Sequence, residues 1–310
     1  MPAIEGPAFA KINLGLRVLG KRSDGFHELR TVFQTISLAD RVRVGYRRST
    51  RRQTTLRCDV AELENDRNLA ARAAERLLGA AAAGGRVEIA LCKKIPRGAG
   101  LGGGSSDAAA VLLALAALMR PAPPAAELFA AAEDLGSDVP FFLVGGRAVG
   151  LGRGEEVYPL PEGPRRRLVV VAPADAVDTT EAYRALAARR GAELTPDRHR
   201  LIIKTFHSGI SAPRLGDPGL AEAPINDFED VIFSELPQLA AWKARLLRSG
   251  ADPALMSGSG SALYGVFRDG QAARKAFDRL RRFGERVFLA STVSRKVCRA
   301  QWAASRAVND

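Results

Sequence analysis

The chain predicts an α+β fold in two domains, residues 1–160 and 161–310. Its 310 residues suffice for two hydrophobic cores of ordinary size. A β-branched run at Val87 and Ile89 leads into a glycine cluster and then a long apolar helix, Ala108–Met119. The C-terminal third reads strand, helix, strand from Leu263 to Val293. Between these halves, Pro159, Pro161, Gly163 and Pro164 interrupt any regular pattern, and the boundary is expected there.

Composition bounds the class of function. A hydrophobic share of 46% and a charged share of 26% are those of a globular protein. The longest unbroken apolar run, Ala108–Met119, is twelve residues, against the roughly 20 that a membrane helix needs. The opening MPAIEGPAFAKINL has neither a basic nor an apolar leader region, so no signal peptide is expected. Cys58, Cys92 and Cys298 are odd in number and lack metal-ligand spacing, which fits a reducing cytoplasm and no zinc or thiol chemistry. A net charge of +12 raises a nucleic-acid reading. Against it, the arginines fall in small scattered groups (Arg47–Arg48, Arg51–Arg52, Arg281–Arg282) without interleaved aromatics, which make up only 6%. No nucleic-acid or membrane partner is expected; small anionic molecules suit the charge.

Taken in order, Ala8–Leu19 alternates as a strand and puts Lys11 and Asn13 on one face. A turn follows, carrying Asp24-Gly25, Phe26 and His27, and Thr31–Leu38 reads as the next strand. Val42, Val44 and Tyr46 suggest another strand, with the arginines beyond it in a solvated hairpin. Asp66-x-Asn68-Leu69 opens an Ala-rich helix. Then come Gly98, Gly100, Gly102, Gly103 and Gly104, with Ala99 and Leu101 between them, and Ser105, Ser106 and Asp107 in helix-capping residue types. Strand, glycine loop and capped helix make a cradle for phosphate. Glycine lets an anion approach the backbone closely, and the helix N-terminus adds roughly half a positive charge. Gly98-x-Gly100-x-x-Gly103 also fits a dinucleotide fingerprint, but the acidic residue and second strand that should follow are replaced by Arg120-Pro-Ala-Pro-Pro. The P-loop fails too, since no Lys-Ser/Thr follows the glycines.

A helix over Pro124–Leu135 stops at Gly136, and Asp138 follows within Ser-Asp-Val-Pro, where residue type alone favours a cap. A hairpin spans 146–159 and a buried strand Arg167–Ala172; Asp178 starts a helix. Residues 191–225 read as a polar loop with one short helix, and His199 and His207 as surface residues. Asn226-Asp-Phe-Glu leads one helix and Pro237–Ser249 forms another. Ser257-Gly-Ser-Gly-Ser is a second glycine loop, followed by strand Leu263–Phe267, an amphipathic helix Gln271–Phe283 and strand Arg286–Val293. The tail Ser294–Asp310 reads as a terminal helix without an assigned role.

The run P-x-G-x-G-L-G-G-G-S-S-D-A-A, Pro96 to Ala109, resembles the phosphate motif of the GHMP kinases. Together with A-K-I-N-L, the D-G-F-H turn, D-x-N-L, L-G-S-D-V-P-F-F, N-D-F-E and S-G-S-G-S in this order, it resembles one branch of that family. That branch phosphorylates a cytidine diphosphate-linked sugar alcohol in isoprenoid precursor synthesis. The resemblance implies a GHMP kinase fold: a ribosomal protein S5 domain 2-like N-terminal domain and a ferredoxin-like C-terminal domain. It implies ATP and Mg²⁺ as cofactors, ATP and the alcohol as small-molecule partners, and a monomer or homodimer.

For ATP the resemblance implies Pro96, Arg97, Gly98, Ala99, Gly100, Leu101, Gly102, Gly103, Gly104, Ser105, Ser106, Asn68, Leu69 and Lys93. Ser105 or Ser106 would reach Mg²⁺, Ser106 being the first choice. Asn68 also reads as a structural residue at a helix start. Asp138 is implied as the base facing the acceptor hydroxyl, with Lys11 beside it. Transfer to an alcohol needs a carboxylate roughly 3 Å from the hydroxyl, and an ammonium that keeps it ionised. Asn13, Phe26, His27, Thr179 and Tyr183 are implied at the acceptor, although Thr179 and Tyr183 also read as a helix cap and a packing aromatic. Imidazole donates and accepts at a pyrimidine edge. Phe26 stands where tyrosine is frequent; stacking survives, the phenolic hydrogen bond does not. A mevalonate or homoserine kinase would keep the glycine loop and lack the D-G-F-H turn.

Overall fold

The computed structural model describes residues 1–175, 177–190 and 225–304. The expected polar loop up to residue 224, with its short helix, His199 and His207, lies outside them, as does the tail beyond Ala304.

Strands β1 (Ala3–Lys21) and β2 (His27–Arg48) form one long antiparallel hairpin. The separate strands expected over 31–38 and 42–46 are one: burial is continuous from Thr31 to Ile36 and alternates from there to Val44, with no glycine or proline to stop the ladder before Gly45. Ala8, Ala10, Ile12, Leu14, Leu16 and Val18 alternate inward along β1, so Phe9 points to the opposite face; the register shift between Phe9 and Ala10 is taken up on β2. Strand β3 (Arg52–Cys58) pairs in parallel with β4 (Gly85–Cys92), and β4 pairs antiparallel with β2. The hairpin expected around the arginines is therefore absent. β4, with Val87, Ile89 and Leu91 all facing the core, takes the place beside β2, while Arg47, Arg48, Arg51 and Arg52 are exposed as expected. Strands β5 (Arg147–Leu151) and β6 (Glu156–Pro159) complete a six-stranded sheet in the order β3-β4-β2-β5-β6, with β1 on β2.

Helices α1 (Leu69–Ala80) and α2 (Gly103–Leu118) cover one face of that sheet, and α3 (Ala125–Leu135) packs on them. Ala73, Leu77, Ala108, Val111 and Leu112 close over Val42, Val44, Val87 and Ile89. Helix α4 (Val139–Val144) follows α3.

The second sheet runs β10 (Arg286–Ser291), β7 (Arg167–Ala172), β9 (Leu263–Phe267), β8 (Ala254–Met256), antiparallel throughout. With α5 (Thr179–Arg190), α6 (Glu229–Glu235), α7 (Pro237–Arg248) and α8 (Gly270–Leu280), this is the ferredoxin-like split β-α-β arrangement. Helix α9 (Arg295–Ala304) returns to the first sheet, where Trp302 covers Gly6. The two sheets share one core: Ile12, Leu14 and Ile36 meet Leu168, Val170, Leu255 and Tyr264, whose hydroxyl donates to the Asn13 carbonyl at 2.8 Å. Among the described residues no helix is long and apolar enough to cross a membrane.

Candidate active site

The glycine loop hangs between β4 and α2. Gly98, Gly100 and Gly102 hold φ of 63°, 73° and 70°, a left-handed backbone that only glycine adopts without strain. Successive N–H groups converge in such loops, which is how backbone alone binds an anion. Ala99 and Leu101 turn their side chains into the shared core and anchor the loop through their carbonyls, which accept from Ala262 N (3.1 Å) and Lys11 N (3.0 Å). Gly102 itself is the N-cap of α2, so Ser105 and Ser106 lie inside the first turn and Asp107 just beyond it, none of them capping the helix. The second glycine loop packs against the first: Ser257 Oγ donates to Gly100 O at 2.9 Å, and a Cβ on Gly100 would lie 2.1 Å from Ser257 O. Asn226 secures that second loop, donating to Met256 O (2.8 Å) and Gly258 O (2.7 Å).

Lys11 lies where the two loops meet. Its Nζ is 3.4 Å from Asp138 Oδ2, donates to Asn13 Oδ1 at 2.8 Å and stands 5.4 Å from the Phe33 ring centroid. A Cβ on Gly258 would come within 3.6 Å of it. Asp138 occupies the N-cap position of α4, but its carboxylate makes no capping hydrogen bond, which leaves it to Lys11. Asn13 is 2% exposed, and its Nδ2 donates to Thr31 Oγ1 at 2.7 Å. It thus orients Lys11 and does not line the acceptor cavity expected for it.

That cavity, of about 600 Å³, brings together Phe26, His27, Thr179 and Tyr183, with Arg153 in its wall. The His27 and Tyr183 rings stack at 4.5 Å and 16°, and Tyr183 abuts Phe228 edge-on. Thr179 Oγ1 is 2.9 Å from Ser259 Oγ, which joins the cavity wall to the second glycine loop. His27 Nε2 is buried with no hydrogen-bond partner among the described residues. Burial and nearby Lys21 hold its pKa below the ordinary value, so the ring is neutral at physiological pH.

Three expectations need correction. Ser106 is 3% exposed and donates to Phe9 O at 2.6 Å, away from the loop, whereas Ser105 in the same turn is half-buried. Lys93 is locked inside an ion triad, its Nζ 2.5 Å from both Asp40 Oδ2 and Asp107 Oδ2, so its ammonium is already neutralised within the protein. Burial opposes its charge, but the two carboxylates raise its pKa. Asn68 Oδ1 accepts from Ala70 N and its Nδ2 donates to Leu63 O, so it serves the helix start.

Residue type alone did not mark Asp40, whose Oδ1 accepts from Lys94 N and Ile95 N and so fixes the lead-in to the glycine loop. The signal was a carboxylate in an apolar strand.

Comparison with known proteins bears on this site. Residues 68–146 match the GHMP kinases N terminal domain, and 209–286 match GHMP kinases C terminal. The chain is 53% identical over 298 residues to 4-diphosphocytidyl-2-C-methyl-D-erythritol kinase of Solibacter usitatus, covering 95% of this chain and 90% of that protein. The chain belongs to the 4-diphosphocytidyl-2-C-methyl-D-erythritol kinase family of GHMP kinases. Among other GHMP kinases of this family, that of Moorella thermoacetica is 43% identical, covering 90% of this chain and 95% of that one. A crystal structure of 4-(cytidine 5'-diphospho)-2C-methyl-D-erythritol kinase superposes with a TM-score of 0.71 at 39% identity, covering 93% and 99% of the two chains. Homoserine kinase from Cytophaga hutchinsonii shares the fold, with a TM-score of 0.70 at 17% identity over 94% of this chain and 95% of that one.

Proposed function

We propose that the chain transfers the γ-phosphoryl group of ATP to the 2-hydroxyl of 4-(cytidine 5'-diphospho)-2-C-methyl-D-erythritol. The observation that carries this is the Lys11–Asp138 pair, 3.4 Å apart, set between paired glycine loops and a cavity lined by stacked His27 and Tyr183. In this reading the glycine loop and the start of α2 receive the triphosphate, and the cavity receives the cytidine. The acceptor oxygen forms its bond to the γ-phosphorus as the bond to the β-bridging oxygen breaks and ADP leaves. Asp138 accepts the hydroxyl proton, and Lys11 offsets charge at the transferring group while Asn13 holds its ammonium in place. Ser105 Oγ would be the protein's contact to a Mg²⁺ ion, which when bound would offset negative charge on the phosphates. His27, neutral and with one ring nitrogen unpartnered, would read the pyrimidine edge.

We place the domain boundary at residue 160, between β6 and β7, and read the enzyme as a cytoplasmic monomer or homodimer acting on small molecules. The test is ADP release from ATP and Mg²⁺ with the cytidyl-methylerythritol acceptor, with mevalonate and homoserine in parallel. Turnover with the cytidyl alcohol alone is the expected result; turnover with another alcohol would keep the mechanism and overturn the acceptor.

A further inference from the structure

The hydrogen bonds that start at Lys11 do not end at Asn13. Asn13 lies opposite Phe33 in the hairpin, so Lys11 and Asn13 share a face with Phe33 and, two residues along β2, with Thr31. Asn13 Nδ2 donates to Thr31 Oγ1 at 2.7 Å, and Thr31 Oγ1 donates to the Gly15 carbonyl at 2.8 Å. Thr31 is 1% exposed, so these bonds are made away from water. On its other side Thr31 pairs with Gly150 of β5, where a Cβ would lie 3.0 Å from Thr31 Cγ2. The bare glycine makes room for the methyl, and a β-branched side chain, stiff at χ1, then keeps its hydroxyl on β1.

The groups at the two ends fix the direction of these bonds. A carbonyl only accepts, so the Thr31 proton is committed to Gly15 O and the hydroxyl oxygen is left as an acceptor. It takes the amino end of the Asn13 amide, which turns the amide oxygen to Lys11, whose ammonium only donates. Reversing the amide would set its amino group against the ammonium and its oxygen against a hydroxyl with no proton to give. Without the hydroxyl, the amide would be tied only to Lys11, the group it is there to hold.

We propose that Thr31 is a positioning residue for phosphoryl transfer. Its hydroxyl fixes the Asn13 amide with the oxygen toward Lys11, and so holds the ammonium beside Asp138. Buried and hydrogen-bonded on both sides, Thr31 acts through Asn13 and not by contact with substrate. The proposal rests on the Lys11–Asp138 reading above and adds the layer behind it.

Steady-state kinetics with ATP and the cytidyl-methylerythritol acceptor, and thermal melts, are run on the full-length protein, Thr31→Val, Thr31→Ser and Asn13→Ala with and without Thr31→Val. Valine keeps the shape and removes the hydroxyl; serine keeps the hydroxyl and removes the methyl. Thr31→Val should lower kcat about 5- to 50-fold, as for a buried hydrogen-bond partner removed, with KM for ATP within about twofold of wild type. Thr31→Ser should keep kcat within about twofold, whatever it loses in melting temperature. In the Asn13→Ala background, Thr31→Val should change kcat by less than about twofold, because its route to Lys11 is already cut. Should valine not fold, Thr31→Ala removes the same hydroxyl and carries the same expectation. A wild-type kcat in Thr31→Val would overturn the proposal. So would a serine variant as slow as the valine one, which would make the methyl the active part, or a full valine effect without Asn13. A wild type that turns over no alcohol would overturn the phosphotransfer reading, and this proposal with it.

Discussion

At Asp138 the carboxylate faces an ammonium at 3.4 Å and no backbone N–H, so Asp138→Asn preserves shape and α4 while removing the proton acceptor. Its kcat should fall about 10²- to 10⁴-fold, the usual worth of a positioned base, with ATP affinity within about twofold of wild type. A wild-type-like kcat would end the assignment. His27 is a different kind of residue. It holds a stacked partner in Tyr183 and keeps one ring nitrogen unpaired in the acceptor cavity. Deleting the ring removes a stack and a hydrogen bond, together about 1–2 kcal/mol, so His27→Ala should raise KM for the cytidyl alcohol about five- to thirtyfold. KM for ATP should not move. If both KM values stay at wild type, the histidine is structural.

Among the elements, the two glycine loops depend on one another. Gly98 and Gly100 share a left-handed backbone, but a Cβ at 98 meets nothing within 4 Å, whereas at 100 it meets Ser257 O at 2.1 Å. Gly98→Ala should therefore cost only the backbone term, about 1–2 kcal/mol. Gly100→Ala must also push the loops apart, adding about 1–3 kcal/mol of overpacking and a higher KM for ATP. Urea unfolding and steady-state kinetics on the two variants check this; a Gly98→Ala variant as damaged as Gly100→Ala would refute the interlock. Asn226→Ala works on the same loop from behind. It strips the carbonyls of Met256 and Gly258 of their donor, and should cost about 1–3 kcal/mol of stability while raising KM for ATP.

For the molecule as a whole, the legible part of the sequence was its periodicity. The unbroken apolar run of α2, the alternation of β4 and the β-α-β order of the last third led directly to helix, strand and ferredoxin-like sheet. Pairing was not legible, because a period shows which face is apolar and not which strand lies beside it; hence the misplaced hairpin at β3. Lys93 was misread for a related reason. Its neutralising partners, Asp40 and Asp107, are distant in the chain and meet only when β2 packs on α2. Arg153 was hidden among many arginines of the same composition. The buried triad also sets how global stability answers pH. Burial and the neighbouring Asp40 outweigh Lys93 and push the Asp107 pKa up to about 7 from 3.8. Burial also raises Glu229, held by Lys243 and Met256 N, and acts in the same sense. Between those limits the folded chain keeps a proton on Asp107 that the unfolded chain has lost, so stability from this group falls as pH rises from about 4 to about 7 and is level above. Carboxylates whose pKa is lowered act in the opposite sense: Asp24, Asp59 and Asp269 are exposed and contribute little, and Glu28, half-buried between Arg22 and Arg30, is screened in part. Because the two sheets share a core, the whole chain should melt in one transition and report this slope. Asp107→Asn keeps an acceptor for Lys93 and cannot titrate. Its melting temperature relative to wild type should therefore climb between pH 4 and pH 7 and then stay constant. A difference that does not change with pH would mean that Asp107 is ionised throughout, with Lys93 winning over burial.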